Sequence, residues 1–358
     1  MPINLKRIGV FFILVASQSA LYSAVDDSTK FKPGALPTAF YTPETRLGVG
    51  ALAFTFFKTK PQNKKSNTQS YLSYTWNKQF FFENDYQLWM KANDLYFTGT
   101  FGISRFPEFF YGIGNRTHEK DRFMISFDLI KIQTKNLKRI SENFYGGIYY
   151  QYEKLYNQDI TLKNKMMSEI IPGGMGYISS GLGPILIFDK RNNPLNPSKG
   201  AYIETSYLYF DKYFGSENKF SSFVFDARKY EPLFHRLVWN ANVYLALAEG
   251  AVPYRMLATL GGPRFLRGYY NGRFRDKNMM LLQQEFRMPI YKRLGLAAFG
   301  GIGSVSHIAN ELFSNQIHYD YGIGLRIEIN KKEHANLRID YGITRDSHGL
   351  YIVFAEAF

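Results

Sequence analysis

The 358-residue sequence contains no cysteine, which excludes disulfide bonds and thiolate metal sites. Its six histidines fall singly, without the spacing of metal ligands. No nucleophile-elbow pattern is present, and no glycine-rich stretch has the lysine and helix context of a phosphate-binding loop. We therefore expect a protein that needs no metal or cofactor and is not an enzyme. A surface hydrolase site made of His318, Asp320 and a loop serine is the enzymatic alternative that the residues leave open.

Long hydrophobic runs are also missing once the first residues are passed. Nowhere after them do about 18 apolar residues follow one another, so we expect no transmembrane helix. At the N-terminus, Lys6 and Arg7 precede the apolar run Ile8–Ala16, and small and polar residues follow it. This order is typical of a secretory signal peptide. We assign the signal peptide to residues 1–24 and predict that the chain is exported.

The sequence has a net charge of +14, but no basic stripe or basic helix. Basic residues are spread along the chain, and only Lys64–Lys65 and Lys331–Lys332 form short clusters. A nucleic-acid-binding protein usually concentrates its positive charge on one face. We therefore expect no nucleic-acid partner.

Apolar and polar residues alternate with period two from Glu44 onwards, and no helical period is sustained after the signal. Phe, Tyr and Trp make up 17% of the chain. In outer-membrane barrels, an apolar face with aromatic girdles meets lipid and a polar face lines the lumen. The sequence therefore predicts an all-β fold, a transmembrane antiparallel β-barrel over residues 44–358, after a short periplasmic lead-in at residues 25–43. A soluble β-sandwich is the alternative.

Fifteen strands can be read directly from the alternation, and bacterial single-chain barrels have an even number. We predict sixteen, with the additional strand within Leu155–Ser180. Counting strands back from a periplasmic C-terminus makes Leu260–Glu285 the core of a long sixth extracellular loop, and places the Asp189–Gly200 turn on the periplasmic side. This loop is rich in arginine, and arginine-rich loops of such length are usually functional or disordered.

Several motifs carry a resemblance to a known family. They are LGGPRFLRGY from Leu260, RFRD from Arg273, QEFRMPI from Gln284 and FGGIG from Phe299, with GLGPILIFDKRNNPLNPSKG from Gly181 and a final GLYIVFAEAF. YTPETRLGVG and FYGIGN precede them in family order. Together they resemble the C-terminal barrel of the bacterial surface antigen family, the superfamily of the BamA-type insertases and TamA-type translocation proteins.

The resemblance implies sixteen strands and a sixth loop folded back into the lumen, where an arginine contacts acidic residues of the next two strands. The residues that it singles out are the lumen-loop motif Leu266, Arg267, Gly268 and Tyr269, the acidic partners Glu285 and Asp276, the periplasmic turn motif Asp189, Arg191, Pro197 and Gly200, and the C-terminal assembly signal Phe354 and Phe358. Alternatively, Arg267 is one of several solvated loop arginines. The chain departs from the family pattern at Gly301, where an aspartate is expected.

The sequence supports two hypotheses about function. The resemblance implies an outer-membrane barrel of a Gram-negative bacterium that aids assembly or translocation of proteins or lipids. Family members with that role carry soluble periplasmic POTRA domains, and here only residues 25–43 separate the signal from the first predicted strand. A passive pore or surface-structural barrel is therefore the alternative. The expected partners are outer-membrane lipid and lipopolysaccharide, the machinery that inserts the barrel, and protein substrates or a periplasmic subunit.

Overall fold

A computed structural model describes residues 11–14, 32–42, 46–160, 171–314, 316–331 and 334–358. The described chain is built from antiparallel strands, joined in four places by a single turn of 3-10 helix (Glu119–Asp121, Lys212–Phe214, Phe234–Arg236 and Ala309–Glu311). The strands are β1 Phe11–Leu14, β2 Lys32–Thr42, β3 Arg46–Phe57, β4 Ser66–Thr75, β5 Phe80–Met90, β6 Leu95–Phe110, β7 Phe123–Ser141, β8 Phe144–Ile160, β9 Tyr177–Asp189, β10 Gly200–Phe210, β11 Phe220–Pro232, β12 Val238–Gly250, β13 Ala258–Leu260, β14 Phe274–Asp276, β15 Asn278–Tyr291, β16 Leu294–Ser306, β17 His318–Asn330, β18 Ala335–Thr344 and β19 His348–Phe354.

Alternation along each strand sorts the side chains between two faces. In β15, Gln283, Glu285 and Arg287 are buried, whereas their neighbours Leu282 and Phe286 are exposed. Successive side chains of a strand point to opposite faces, so the buried polar residues lie inside the barrel and the exposed apolar ones lie on its outer surface. This arrangement is the reverse of a soluble protein and is that of an outer-membrane barrel.

Almost all strands belong to one sheet of seventeen strands. Each strand from β2 to β12 pairs antiparallel with the next, β12 pairs with β15, and the pairing continues in order to β19. The short hairpin β13–β14 stands apart from this sheet. Without β1, whose four residues lie in the predicted signal peptide, the sheet has sixteen strands, as expected from the sequence.

The position of the sixteenth strand differs from the prediction. Strands β8 and β9 pair directly, with Leu155 opposite Tyr177, so no strand lies between them in the sheet. The additional strand is β2, which lies in the predicted lead-in and pairs with β3 along its whole length. Pro33 and Pro37 hid this strand, since prolines lack a backbone donor and argue against a strand everywhere except at a sheet edge. Strand β2 is the first strand of the sixteen-stranded sheet, so it lies at one edge of that sheet.

The two ends of this sixteen-stranded sheet approach each other. The ring of Phe54 in β3 stacks on Phe354 in β19 with centroids 5.8 Å apart. The short strand β1 pairs with β2 and also contacts β19. Strand β19 ends at Phe354, before the end of the predicted barrel at residue 358, because Ala355 has a φ of 64° that turns the following residues away.

The strand connections differ in length at the two ends of the barrel. At one end, the turn end, their described residues are 58–65, 91–94, 142–143, 190–199, 233–237, 292–293, 331 and 334. At the other end, the loop end, chain connections join β2 to β3 and β8 to β9, and the described residues are 76–79, 111–122, 171–176, 211–219, 251–277, 307–314, 316–317 and 345–347. Outer-membrane barrels have short periplasmic turns and longer extracellular loops. We therefore place the turn end in the periplasm, which makes residues 251–277 the sixth extracellular loop.

Two apolar clusters fill much of the interior. One contains aromatic residues of β5 to β11 and the beginning of the sixth loop, and the other joins the middle of that loop to β12, β15 and β16. The predicted folding of the sixth loop into the barrel is therefore confirmed. Within the described residues, no helix is long and apolar enough to span a membrane.

Candidate functional site

The sixth loop, residues 251–277, enters the barrel between β12 and β15; we call it the lumen loop. Its hairpin β13–β14 gives it a rigid stem, with Ala258 opposite Asp276. Seven of its apolar and aromatic side chains are buried, namely Val252, Tyr254, Leu257, Leu260, Leu266, Tyr269 and Phe274. A loop that buries so many side chains is part of the core and is held in one position.

Arg267 lies at the centre of the loop's contacts with the barrel wall. Its side chain is 1% exposed, and its Nη1 atom donates to Glu285 at 2.7 Å and to Asp340 at 2.8 Å. The guanidinium also lies 3.3 Å from the ring centroid of Phe299. A buried guanidinium needs carboxylate partners to offset its desolvation, and these two supply them. Burial by itself lowers the pKa of Arg267, but Glu285 and Asp340 outweigh it and raise the pKa, so the side chain stays charged.

The Arg267 cluster contains more charges than this one triad. Arg326 contacts Glu285 at 3.2 Å, Asp340 at 2.6 Å and Glu356 at 2.8 Å. The remaining two arginines are Arg338, 2.6 Å from Asp340, and Arg287, 3.4 Å from Glu356. The cluster therefore joins four guanidinium groups to three carboxylates, and each carboxylate bridges at least two arginines. It connects the lumen loop to β15, β17, β18 and the residues after β19.

Inward-facing glycines allow the loop backbone to lie directly on the wall. A Cβ atom at Gly342 would come within 2.3 Å of the carbonyl oxygen of Arg267. A Cβ at Gly301 would meet Leu266 at 3.1 Å, and one at Gly303 would meet Leu260 at 3.1 Å. Glycine is the residue that permits such a close backbone approach. The wall opposite the loop is therefore shaped to receive it.

The rest of the motif holds the loop in this position. Gly268 has a φ of 117°, a conformation that favours glycine, and its N–H donates to the Tyr351 hydroxyl at 2.9 Å. The same hydroxyl donates to the carbonyl of Tyr269 at 2.8 Å. Leu266 is fully buried, and the ring of Tyr269 packs edge-on against Phe274 at 5.3 Å. The four motif residues thus act as one unit between β16, β18 and β19.

The acidic partners differ in part from those expected. Glu285 lies where the resemblance placed it, but Asp276 does not: it lies in the hairpin stem opposite Ala258 and contacts His307 at 3.5 Å. Instead, the second carboxylate is Asp340, which comes from β18. Gly301, where the family aspartate was expected, faces Asp320 across the β16–β17 ladder, and a Cβ at Gly301 would lie 3.0 Å from the Asp320 Oδ1 atom. The wall therefore supplies its carboxylates from other strands.

Other loop arginines anchor the loop on different sides of the barrel. Arg264 pairs with Asp226 of β11 at 2.9 Å, and Arg255 pairs with Glu108 of β6. Arg273 donates to the hydroxyl and carbonyl oxygens of Thr117 in the 111–122 loop at 2.7 and 2.8 Å. These contacts cross the lumen in several directions. The alternative that Arg267 is one of several solvated loop arginines does not agree with this arrangement.

The turn motif is connected to the same cluster from the opposite end. Asp189 and Arg191 form an ion pair of 2.7 Å, and the Arg191 guanidinium stacks on Tyr202 at 4.5 Å. The Pro197 carbonyl accepts a hydrogen bond from Arg287 at 2.5 Å. Gly200 has a φ of 110°, and a Cβ there would lie 2.1 Å from the Lys190 carbonyl oxygen. Arg287 therefore links the 190–199 turn to the Arg267 cluster.

The two phenylalanines of the expected assembly signal have different environments. Phe354 ends β19 and stacks on Phe54, whereas Phe358 is buried beyond the end of the strand. Between them, Glu356 turns into the barrel and accepts a hydrogen bond from Asn336 at 2.7 Å as well as from Arg326. The final residues therefore belong to the interior and do not continue the strand.

A family model described as the Omp85 superfamily domain matches residues 130–349, which include the lumen loop and all of the Arg267 cluster except Glu356. The chain belongs to the Omp85 superfamily. This confirms the family resemblance inferred from the loop and turn motifs. No curated protein matches the chain.

Solved structures agree with the Omp85 assignment at the level of the fold. BamA from Haemophilus ducreyi, in a form lacking POTRA domains 1–3, has a TM-score of 0.58 and 14% identity, over 98% of this chain and 75% of that one. CdiB from Escherichia coli has a TM-score of 0.62 and 13% identity, over 90% of this chain and 62% of that one. CdiB from Acinetobacter baumannii has a TM-score of 0.52 and 14% identity, over 96% and 63%. The chain spans less than two thirds of either CdiB.

Sequence reasoning missed several members of this Omp85 site. Asp340, Arg326 and Arg338 lie outside the motifs that carried the resemblance, and Glu356 belongs to the final stretch GLYIVFAEAF, which indicated an assembly signal and not a charge inside the barrel. A usable signal was present, because glycines alternate with apolar residues on two successive strands, at Gly301 and Gly303 in β16 and at Gly322 and Gly324 in β17. Such spacing marks a wall against which another backbone packs.

Proposed function

We propose that this Omp85 barrel is an outer-membrane protein of a Gram-negative bacterium that takes part in protein assembly or secretion, and that it is not a passive pore. The observation that carries the proposal is the lumen loop, anchored by Arg267, Arg264 and Arg255 to β15, β11 and β6. A loop anchored on several sides, together with the aromatic side chains packed beside it, narrows any aqueous path through the barrel. The likeness in fold to BamA and CdiB supports the same reading.

The proposed working part is the junction between β2 and β19, the first and last strands of the sixteen. Strand β19 has seven residues and β2 has eleven, two of which are prolines without a backbone donor. Strands of unequal length that also lack donors can form fewer ladder hydrogen bonds with each other than full-length strands can. We infer that it is the place where the barrel opens sideways to a substrate strand.

Single-channel conductance of the refolded barrel in planar bilayers tests this proposal. We expect the wild type to show a small, flickering conductance, and a variant lacking Gly261–Asp276 to show a large and steady one. The Arg264→Ala variant serves as a control that keeps the loop but removes one anchor. A large, steady conductance in the wild type would refute the proposal and favour the passive pore.

The remaining partners follow from this proposal. We expect the barrel to be surrounded by outer-membrane lipid and lipopolysaccharide, and to be inserted by the barrel-assembly machinery of the cell. A protein substrate or a periplasmic subunit would approach from the turn end. Export through the predicted signal peptide is checked by sequencing the N-terminus of the mature protein, which we expect to begin near residue 25.

A further inference from the structure

The two ends of the barrel carry very different charge. Basic residues in the described turns of the turn end are Lys58, Lys60, Lys64, Lys65, Lys91, Lys190, Arg191, Lys199, Arg236, Lys292, Arg293 and Lys331, against the acidic residues Asp94 and Glu142. Leaving aside the lumen loop, the described connections of the loop end hold Lys78, Arg116, Lys120, Arg122, Lys212, Lys219 and Arg345 against Glu119, Asp121, Asp211, Glu217, Glu311 and Asp346. The positive charge that is scattered along the sequence is therefore gathered at one end.

The up-and-down topology of the strands brings these basic residues together at the turn end. Every second connection along the chain returns to the turn end, so residues far apart in sequence form one ring. Six of the seven turns contribute a basic residue. The seventh turn, residues 142–143, lies next to Lys138 and Arg139 at the end of β7. Most of these side chains are exposed, and Arg191 is an exception because it points inward onto Tyr202.

Exposed apolar side chains accompany the basic ones on these turns and at the strand ends beside them. Ile140 is 62% exposed, Phe234 70% and Tyr291 62%. Lys292 lies 5.0 Å from the Tyr291 ring centroid. Aromatic and apolar side chains next to lysine and arginine are typical of chain segments at a membrane interface, where rings enter the acyl region and the cations reach the headgroups.

We propose that the turn end is a ring-shaped binding surface for anionic phospholipid headgroups of the periplasmic leaflet. Lysine dominates the ring, and a flexible lysine side chain supplies a point charge suited to headgroup phosphates that exchange around it. The ring follows the whole circumference, whereas a protein partner would be expected to occupy one sector. The apolar neighbours match lipid as well. This inference rests on the proposed outer-membrane location but not on the proposed role in protein assembly or secretion.

The test measures lipid selectivity in mixed phosphatidylcholine–phosphatidylglycerol vesicles. Spin-labelled phosphatidylglycerol is compared with spin-labelled phosphatidylcholine for association with the reconstituted barrel. We expect a preference for phosphatidylglycerol of about fivefold at low salt, since one basic residue near an anionic surface strengthens binding by about that factor. At high salt, where the charges are screened, the preference should be smaller.

Two matched variants locate the effect. Four exposed turn lysines are changed to glutamine in one (Lys60, Lys91, Lys190 and Lys331), and four exposed loop-end lysines in the other (Lys78, Lys120, Lys212 and Lys219). The turn variant should lose most of the preference and the loop variant should keep it, with heat modifiability on gels showing that both are folded. No preference in the wild type, or equal preference in the two variants, would overturn the proposal. Binding of soluble polyglutamate by the detergent-solubilised barrel without any lipid preference would do the same and indicate an acidic protein partner.

Discussion

Replacing Arg267 by alanine removes the central link of the lumen loop, and its cost can be worked from the contacts. The side chain is almost fully buried and joins Glu285 and Asp340. Breaking a buried ion pair costs about 3 to 5 kcal/mol, mostly because a charge is left without its partner. Here both carboxylates retain Arg326. We therefore expect Arg267→Ala to lower the free energy of unfolding by about 3 kcal/mol, the lower end of that range.

Two other variants make this prediction specific. Arg273→Ala removes hydrogen bonds to Thr117 from a partly exposed side chain, and we expect a cost of about 1 kcal/mol. Asp340→Asn should cost as much as Arg267→Ala or more, because it leaves the arginines around it with fewer carboxylates. The reason is the charge balance of the cluster, in which guanidinium groups already outnumber carboxylates.

The assay is urea unfolding of the refolded barrel in detergent micelles, with the heat-dependent gel shift as a second readout. The expected order of stability is wild type, then Arg273→Ala, then Arg267→Ala and Asp340→Asn. Equal loss in the Arg267 and Arg273 variants would refute the central role of Arg267. A mild effect of Asp340→Asn would show that the charge balance has been misjudged.

Three further substitutions, one of them with a matched control, test other parts of the site. Gly342→Ala should displace the loop and destabilise the barrel at least as much as Arg267→Ala in the same unfolding assay. The control is Gly102→Ala, which should be tolerated because its Cβ would lie 3.6 Å from the nearest atom. Burial raises the pKa of Asp276, so its carboxylate destabilises the fold once it ionises. Asp276→Asn should therefore be neutral or stabilising at pH 7. Any gain in stability should disappear below about pH 4, because Asp276 is then protonated in the unfolded chain as well. A clear loss of stability at pH 7 would instead make Asp276 a structural partner. Arg255→Ala should increase hydrogen exchange in the first half of the lumen loop, and unchanged exchange would mean that this anchor is redundant.

The sequence predicted the architecture because barrel strands are local patterns. Alternation assigns each residue of a strand to lipid or lumen, and each turn is short enough to be read from its own residues. The one misplaced strand, β2, shows the limit of that reading. Pro33 and Pro37 break a local strand pattern, and only the arrangement of the whole sheet explains why prolines are tolerated there.

The candidate site was predictable where partners lie close along the chain. Arg267 and Glu285 are separated by one hairpin stem and part of a strand, and both belong to motifs. Asp340 could not be found in this way, since it reaches Arg267 from three strands further around the barrel. Many carboxylates lie on lumen faces, and none of the local patterns says which one is opposite the loop.

By itself, the sequence determined the fold class, the number of strands and the place of fifteen of them, the long sixth loop and the arginine at its centre. Period-two alternation, turn residues and a family motif are all properties of short segments. The tertiary structure decided which carboxylates receive Arg267, how the loop is anchored across the lumen, and that scattered lysines form one ring at the turn end. Those features depend on the order in which strands meet around a closed surface. That order brings together residues that are separated by whole strands, and it cannot be read from any single segment.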